Sequence, residues 1–198
     1  MRTIHVLSVV LALFLFAVSA HAAASVNPQT CAAAEQQARQ GQPAAQFLLG
    51  ECRYYGQGMR QSYAQAAKWY RAAAQQGHPD AQYNLGILYR DGQGVRKSAK
   101  EAARWFRPGA ERGEVDAQSN LGLMLARLGT LKNRREAIEW WTKAAEKGES
   151  NAMNNLASCY YSGLGVKRDR AAARDLWQKA AAAGNELARN NLRRYFRE

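Results

Sequence analysis

The chain has 198 residues, with 28 lysines and arginines against 16 aspartates and glutamates, a net charge of +12. That length suits one elongated domain. Three histidines and three cysteines leave little material for a metal centre or a nucleophilic catalytic site.

The chain opens with the basic Met1-Arg2, an apolar run from Val6 to Val18, and an A-x-A site in Ser19-Ala20-His21-Ala22 before Ala23. This is the pattern of a secretory signal peptide over residues 1–22. A membrane anchor is the rival reading, but a span needs about 20 apolar residues and this run is shorter. No cysteine stands at the cleavage point, which argues against a lipid anchor. The expected product is periplasmic or secreted, with no stable membrane insertion. Without Arg2 the balance becomes 27 basic to 16 acidic residues, about +11. Such a charge often signals nucleic acid, a partner that export excludes. An anionic envelope polymer or an acidic protein face fits better. The plainer reading is that the charges solubilise helix faces. At the C-terminus Arg189, Arg193, Arg194 and Arg197 crowd one short segment.

Residues 23–43 are expected to form an N-terminal capping helix carrying Cys31. Cys52 falls on the next helix. A turn at Gly41-Gln42-Pro43 makes the two antiparallel, and counting outward from Gln42 sets Cys31 opposite roughly Arg53, beside Cys52. That facing geometry, in an oxidising compartment, predicts a Cys31–Cys52 disulfide. Cys159 is left over, either as a buried thiol or as an intermolecular link.

From here a six-residue block recurs. It reads Ala45-Gln46-Phe47-Leu48-Leu49-Gly50, Ala81-Gln82-Tyr83-Asn84-Leu85-Gly86 and Ala117-Gln118-Ser119-Asn120-Leu121-Gly122. It returns as Ala152-Met153-Asn154-Asn155-Leu156-Ala157 and Ala188-Arg189-Asn190-Asn191-Leu192-Arg193. The leading alanines are 36, 36, 35 and 36 residues apart. A period of that size means stacked supersecondary units that bury their faces on one another. Within the second unit, Ala81, Leu85, Leu88 and Tyr89 form a helical stripe. Asp91-Gly92-Gln93-Gly94-Val95 ends that helix. Ser98 and Glu101 offer a capping box for a second helix carrying Ala102, Trp105 and Phe106, which stops near Gly113. The same grammar gives aromatic pairs at Trp69-Tyr70 and Trp140-Trp141, and Leu176-Trp177 in the last full unit.

The pattern Ala81-x-Tyr83-x-Leu85-Gly86-x-x-Tyr89-x-x-Gly92-x-Gly94-Val95, then Ala102-x-x-Trp105 and Gly113, resembles the Sel1-like repeat family, the longer relatives of tetratricopeptide repeats. The resemblance implies an all-α, right-handed α-solenoid of stacked antiparallel helix pairs with a concave groove for proteins or peptides. The units fall at 44–80, 81–116, 117–151 and 152–187, with a C-terminal capping helix at 188–198. The third unit departs from the pattern: it has Leu125 in place of the tyrosine and loses a loop residue, keeping only Gly129, so its first helix is expected to run on or turn differently. The second unit carries Pro108-Gly109 inside its second helix, where a proline is expected to kink it.

In tetratricopeptide-like stacks the first helix of each unit lines the concave face. The partner-binding candidates are therefore Phe47, Tyr54, Tyr83, Asn84, Ile87, Arg90, Asn120, Asn154 and Tyr161. Aromatics and arginine make strong contacts at interfaces. Asparagine grips a peptide backbone with a donor and an acceptor, although the same side chains would serve equally to bond neighbouring helices. Trp69, Trp105 and Trp140 are expected to pack between units.

Catalysis has little support. His78, the one histidine of the mature chain, is expected in a solvated turn. No zinc site, cofactor site or nucleotide cradle emerges: the Gly-x-Gly segments follow helices and recur as turns. Some cysteine-rich relatives suggest a β-lactam hydrolase, but this chain lacks a cysteine pair in every repeat. The expectation is an exported, non-enzymatic adaptor for a protein or peptide. Binding of an anionic envelope polymer through the basic surface is the alternative.

Overall fold

In the computed structural model residues 26–197 are described; the expected leader, with His5 and His21, lies outside them. Ten helices and no strands occur among the described residues: α1 (Pro28–Arg39), α2 (Pro43–Tyr55), α3 (Tyr63–Gln75), α4 (Pro79–Asp91), α5 (Ala99–Glu111), α6 (Val115–Leu128), α7 (Leu131–Glu146), α8 (Ser150–Ser162), α9 (Arg170–Ala182) and α10 (Glu186–Phe196). Each helix packs on its neighbours in the chain. Helices α2/α3, α4/α5, α6/α7 and α8/α9 form four hairpins, with α1 and α10 at the ends, giving an α-solenoid.

The stops and starts follow local chemistry. Ser62, Ser98, Thr130 and Asp169 cap α3, α5, α7 and α9, each side chain accepting a backbone N–H three residues on. The box at Ser98 forms on one side only. Its hydroxyl accepts from the Glu101 N–H (3.2 Å), but its own N–H goes to the Tyr89 carbonyl (2.9 Å). Ser62 and Asp169 return their N–H groups in the same way to Arg53 and Tyr160 (2.8 and 2.9 Å), so three hairpin loops are pinned at the neck. His78 is not a free turn residue. It caps α4, its Nδ1 accepting from Ala81 N–H at 3.4 Å, and its ring stacks on Phe47 with centroids 4.7 Å apart.

Inside each hairpin one aromatic ring fills the space between the two helices. Tyr70, Phe106, Trp141 and Trp177 are all buried. A Cβ at Gly50, Gly86 or Gly122 would lie 2.5, 2.7 or 2.6 Å from the ring of Tyr70, Phe106 or Trp141 respectively. The first members of the aromatic pairs, Trp69, Trp105 and Trp140, are half-buried against the core clusters.

The glycine loops also have a packing role. Gly94 has φ +68°, and a Cβ there would fall 2.2 Å from the Tyr63 carbonyl carbon at the start of α3. The loop of the first unit seats likewise on Pro28 at the start of α1, and that of the fourth on Arg134 and Ile138 of α7. In the third unit no such loop exists. There α6 runs 14 residues and α7 runs 16, joined only by Gly129-Thr130. The missing loop has been converted into helix, leaving Leu128 and Leu131 exposed.

Pro108 does not interrupt α5, which continues to Glu111. The residue after it explains the pair: a Cβ at Gly109 would meet Glu114 Oε2 at 2.4 Å and Ala117 Cβ at 3.0 Å, so the start of α6 lies directly against this backbone. Cys31 and Cys52 form a disulfide with a Cα–Cα distance of 5.8 Å, and both are fully buried. Cys159 is a free, half-buried thiol, its pKa pushed up by burial.

Candidate functional site

The first helices of the units, α2, α4, α6 and α8, carry the expected contact residues, which gather in three places. Near the N-terminal end, Tyr54, Asn84 and Ile87 meet Glu51, Tyr55 and Tyr70 around a cavity of about 120 Å³. Asn84 Nδ2 donates to Glu51 Oε1 at 2.9 Å, and the Tyr70 hydroxyl donates to the same oxygen. Burial and the Glu51 carboxylate hold the Tyr70 phenol far above its usual range, so it stays a donor. The Tyr54 pKa is raised too, mainly by burial; its hydroxyl faces Gln93 Oε1 at 3.4 Å.

In the middle, Tyr83, Arg90 and Asn120 form one network. Arg90 donates to both oxygens of Asp91 at 2.8 Å and to Asn120 Oδ1 at 2.8 Å. The hydrogen bonds to Asp91 raise the arginine pKa, and the same bonds hold the Asp91 carboxyl below the usual carboxylate range. Asn120 Nδ2 donates to the Tyr83 hydroxyl at 3.4 Å and to Asp116 O at 2.9 Å. The Tyr83 pKa is raised, chiefly by burial.

Toward the C-terminal end, Tyr161 meets Trp177 and Tyr195, with centroids 5.5 and 4.4 Å away. Arg170 lies 4.8 Å over the Tyr161 ring and donates to its hydroxyl at 2.7 Å. A groove of about 350 Å³ opens here, lined also by Asn155, Ser158, Cys159 and Asn191.

Two expected residues sit differently. Asn154 was expected on the exposed face, but it is 7% exposed. Its Oδ1 accepts from Trp177 Nε1 at 3.1 Å and from Asn191 Nδ2 at 3.0 Å, so it serves the stack and offers no contact to a partner. Its side chain takes the inward position because the fourth unit has Trp177 where the second has Phe106, and the indole N–H needs an acceptor. Phe47 is half-buried between Tyr70 and His78; it packs on the Tyr70 ring but does not line the cavity of the first cluster. Asn84, Asn120 and Asn191, each three residues after a leading alanine, work largely between units: Asn84 reaches Glu51 of the preceding unit, Asn120 reaches Tyr83 and Arg90, and Asn191 reaches Asn154.

A second ladder went unread in the sequence. Gln46, Gln82 and Gln118, which follow the leading alanines, are buried, and each donates Nε2 to the carbonyl eight residues back: Ala38, Ala74 and Ala110, at 3.3, 3.3 and 3.1 Å. Arg189 repeats the bond to Ala181 at 3.4 Å. The signal was present in the Ala-Gln pair itself, a long amide recurring next to the most buried position of the repeat.

The repeat model described as Sel1 repeat matches residues 43–78, 79–114, 115–149 and 150–185. The chain belongs to the Sel1 repeat family. Sel1-repeat proteins generally mediate protein–protein interaction and are typically non-catalytic scaffolds. The chain resembles the crystal structure of a protective antigen present in uropathogenic Escherichia coli strains and displaying an SLR fold, with a TM-score of 0.70 and 34% identity. That match covers 82% of this chain and 35% of the antigen. It also resembles a Sel1 repeat protein from Oxalobacter formigenes, with a TM-score of 0.64 and 37% identity over 75% of this chain and 62% of that one. The chain thus spans under two thirds of the length of either protein. No curated protein matches it.

Proposed function

We propose that this Sel1 repeat protein is an exported adaptor that holds a protein or peptide against the first-helix face of its solenoid. The observation that carries the reading is the arrangement of Tyr54, Tyr83, Arg90 and Tyr161. All four are half-buried on the side of the units that forms the concave wall of a tetratricopeptide-like stack: Tyr54 and Tyr161 each border an open cavity, and Tyr83 and Arg90 join Asn120 in a hydrogen-bonded network. Export is supported by the leader pattern over residues 1–22 and by the Cys31–Cys52 bridge, which suits an oxidising compartment. Among the described residues no helix is long and apolar enough to cross a membrane.

Affinity capture from envelope extracts at low and high salt, followed by mass spectrometry, tests the adaptor reading. It expects a protein retained at high salt by the wild type and lost by the Tyr83→Ala, Arg90→Ala double variant. Equal retention by the double variant would rule out the groove. Recovery of only salt-labile polysaccharide would favour the second reading, an anionic envelope polymer on the basic surface. That reading draws on the arginines of the C-terminal end, where Arg168 and Arg170 both flank Tyr161 and Arg194 flanks Tyr195.

A further inference from the structure

Glu51 is an acid without a cation. Among the described residues no lysine or arginine pairs with it. Its Oε1 is taken by two neutral donors, the Tyr70 hydroxyl and Asn84 Nδ2. They fix the carboxylate in place and leave its charge uncancelled. The charged groups of the adjoining network, Arg90 and Asp91, are spent on each other. Arg53, two residues along α2, faces the separate cavity between α1 and α3 with Glu35 and Arg39. In a chain of net charge +12 this is a locally acidic spot on the first-helix face. No other unit repeats it: the matching positions are Ile87, Leu123 and Ser158.

The carboxylate opens into the cavity of about 120 Å³ walled by Tyr54, Tyr55, Tyr70 and Ile87. Tyr54 and Tyr55 stand edge to face, 4.9 Å between centroids, and Tyr55 is 58% exposed at the rim. The space equals roughly four waters at about 30 Å³ each, the girth of a slim alkyl tail. Tyrosine rings attract cations over their faces. The occupancy of Oε1 decides which cation fits. A guanidinium binds a carboxylate best through both oxygens, as a fork. An ammonium is a compact point charge that turns its three N–H groups to whatever acceptor is open.

We propose that this pocket takes a primary ammonium, the tip of a lysine side chain on the partner polypeptide, with Glu51 as its counter-ion and the tyrosines as its walls. The assignment rests on the groove reading above and names what one end of that groove recognises. ¹H–¹⁵N spectra of the protein titrated with n-butylammonium chloride, and separately with n-butanol, test it. The amides of Tyr54, Tyr55 and Asn84 are expected to shift saturably with the amine and not with the alcohol. Glu51→Gln keeps an acceptor for Tyr70 and Asn84, so the fold stands, and it is expected to weaken amine binding by about tenfold. Tyr54→Ala keeps the charge, removes a wall and is expected to weaken binding several-fold. Equal shifts with the alcohol, no saturable shift with the amine, or undiminished binding by Glu51→Gln would each overturn the assignment. The two readings fail separately. Loss of amine selectivity leaves the Tyr83→Ala, Arg90→Ala capture result untouched, and a partner indifferent to that double variant leaves the amine titration to stand or fall alone.

Discussion

The ring of Trp141 occupies the place where Gly122 would carry a side chain: a Cβ there would lie 2.6 Å from Trp141 Nε1. The indole cannot retreat, because the same nitrogen donates to Ser119 O at 3.1 Å and the residue is buried. Gly122→Ala is therefore expected to destabilise the protein by about 1–3 kcal/mol, despite the better helix propensity of alanine. Chemical denaturation gives the value. A stabilised variant would mean that the α6/α7 hairpin opens to make room.

Joining α1 to α2, the Cys31–Cys52 bridge closes a separation of 21 residues. Its loss in the Cys31→Ser, Cys52→Ser double variant is expected to cost about 3 kcal/mol. Thiol titration of the oxidised, denatured protein is expected to find one thiol, Cys159. Three would disprove the bridge.

The buried glutamines are not equivalent. Gln46 uses both ends of its amide, donating to Ala38 O and accepting from Gln76 Nε2 at 2.8 Å. Gln118 donates to Ala110 O, but its Oε1 has no partner. The fourth unit places Met153 at this position. Gln118→Met is therefore expected to be tolerated better than Gln46→Met, by about 1 kcal/mol, one hydrogen bond. Parallel urea melts of the two variants measure the difference.

Acid is expected to loosen the junction of the first two units. The His78 pKa is lowered, first by burial and against the opposing pull of Asp80. Its neutral Nδ1 is also the acceptor that caps α4. The unfolded chain thus binds this proton more readily than the folded one. The contribution is complete above the unfolded value, near 6.5, and falls away as pH drops below it toward the lower folded value. Denaturation midpoints measured from pH 7.5 to 5 are expected to decline in the wild type. His78→Asn, a non-titrating cap, is expected to flatten that part of the decline. An unchanged slope in the variant would remove His78 from the account.

Much of the architecture was legible because it is written five times over. Leading alanines and glycines, paired aromatics and loop glycines recur at one spacing, and that spacing forces hairpins that stack. The disulfide was legible for a simpler reason: a tight turn makes positions on either side of it face each other. What stayed hidden depends on which way a polar side chain points. Asn84 and Asn154 are one residue out of register in the block, so one reaches Glu51 beside a cavity while the other turns in to Trp177. Register sets which way each one faces, and the size and polarity of the ring opposite decide the bond it makes there. The glutamine ladder was hidden because its acceptors are backbone carbonyls, which carry no letter in the sequence. The deletion in the third unit was visible, and with it the choice between a first helix that runs on and a different turn; the longer extension, in the second helix, α7, was not.

That deletion gives the molecule an uneven mechanical character. In the first, second and fourth units a glycine loop reaches across and latches onto the start of an earlier helix, α1, α3 and α7 in turn. No loop is left to latch onto the start of α5. A twisting load applied along the rod is shared at three joints between helix packing and latch. At the fourth, between the second and third units, there is no latch to share it, and it rests on helix packing such as Gly109 against Ala117 and on side-chain bonds such as Arg90 to Asn120 and Arg107 to Glu136.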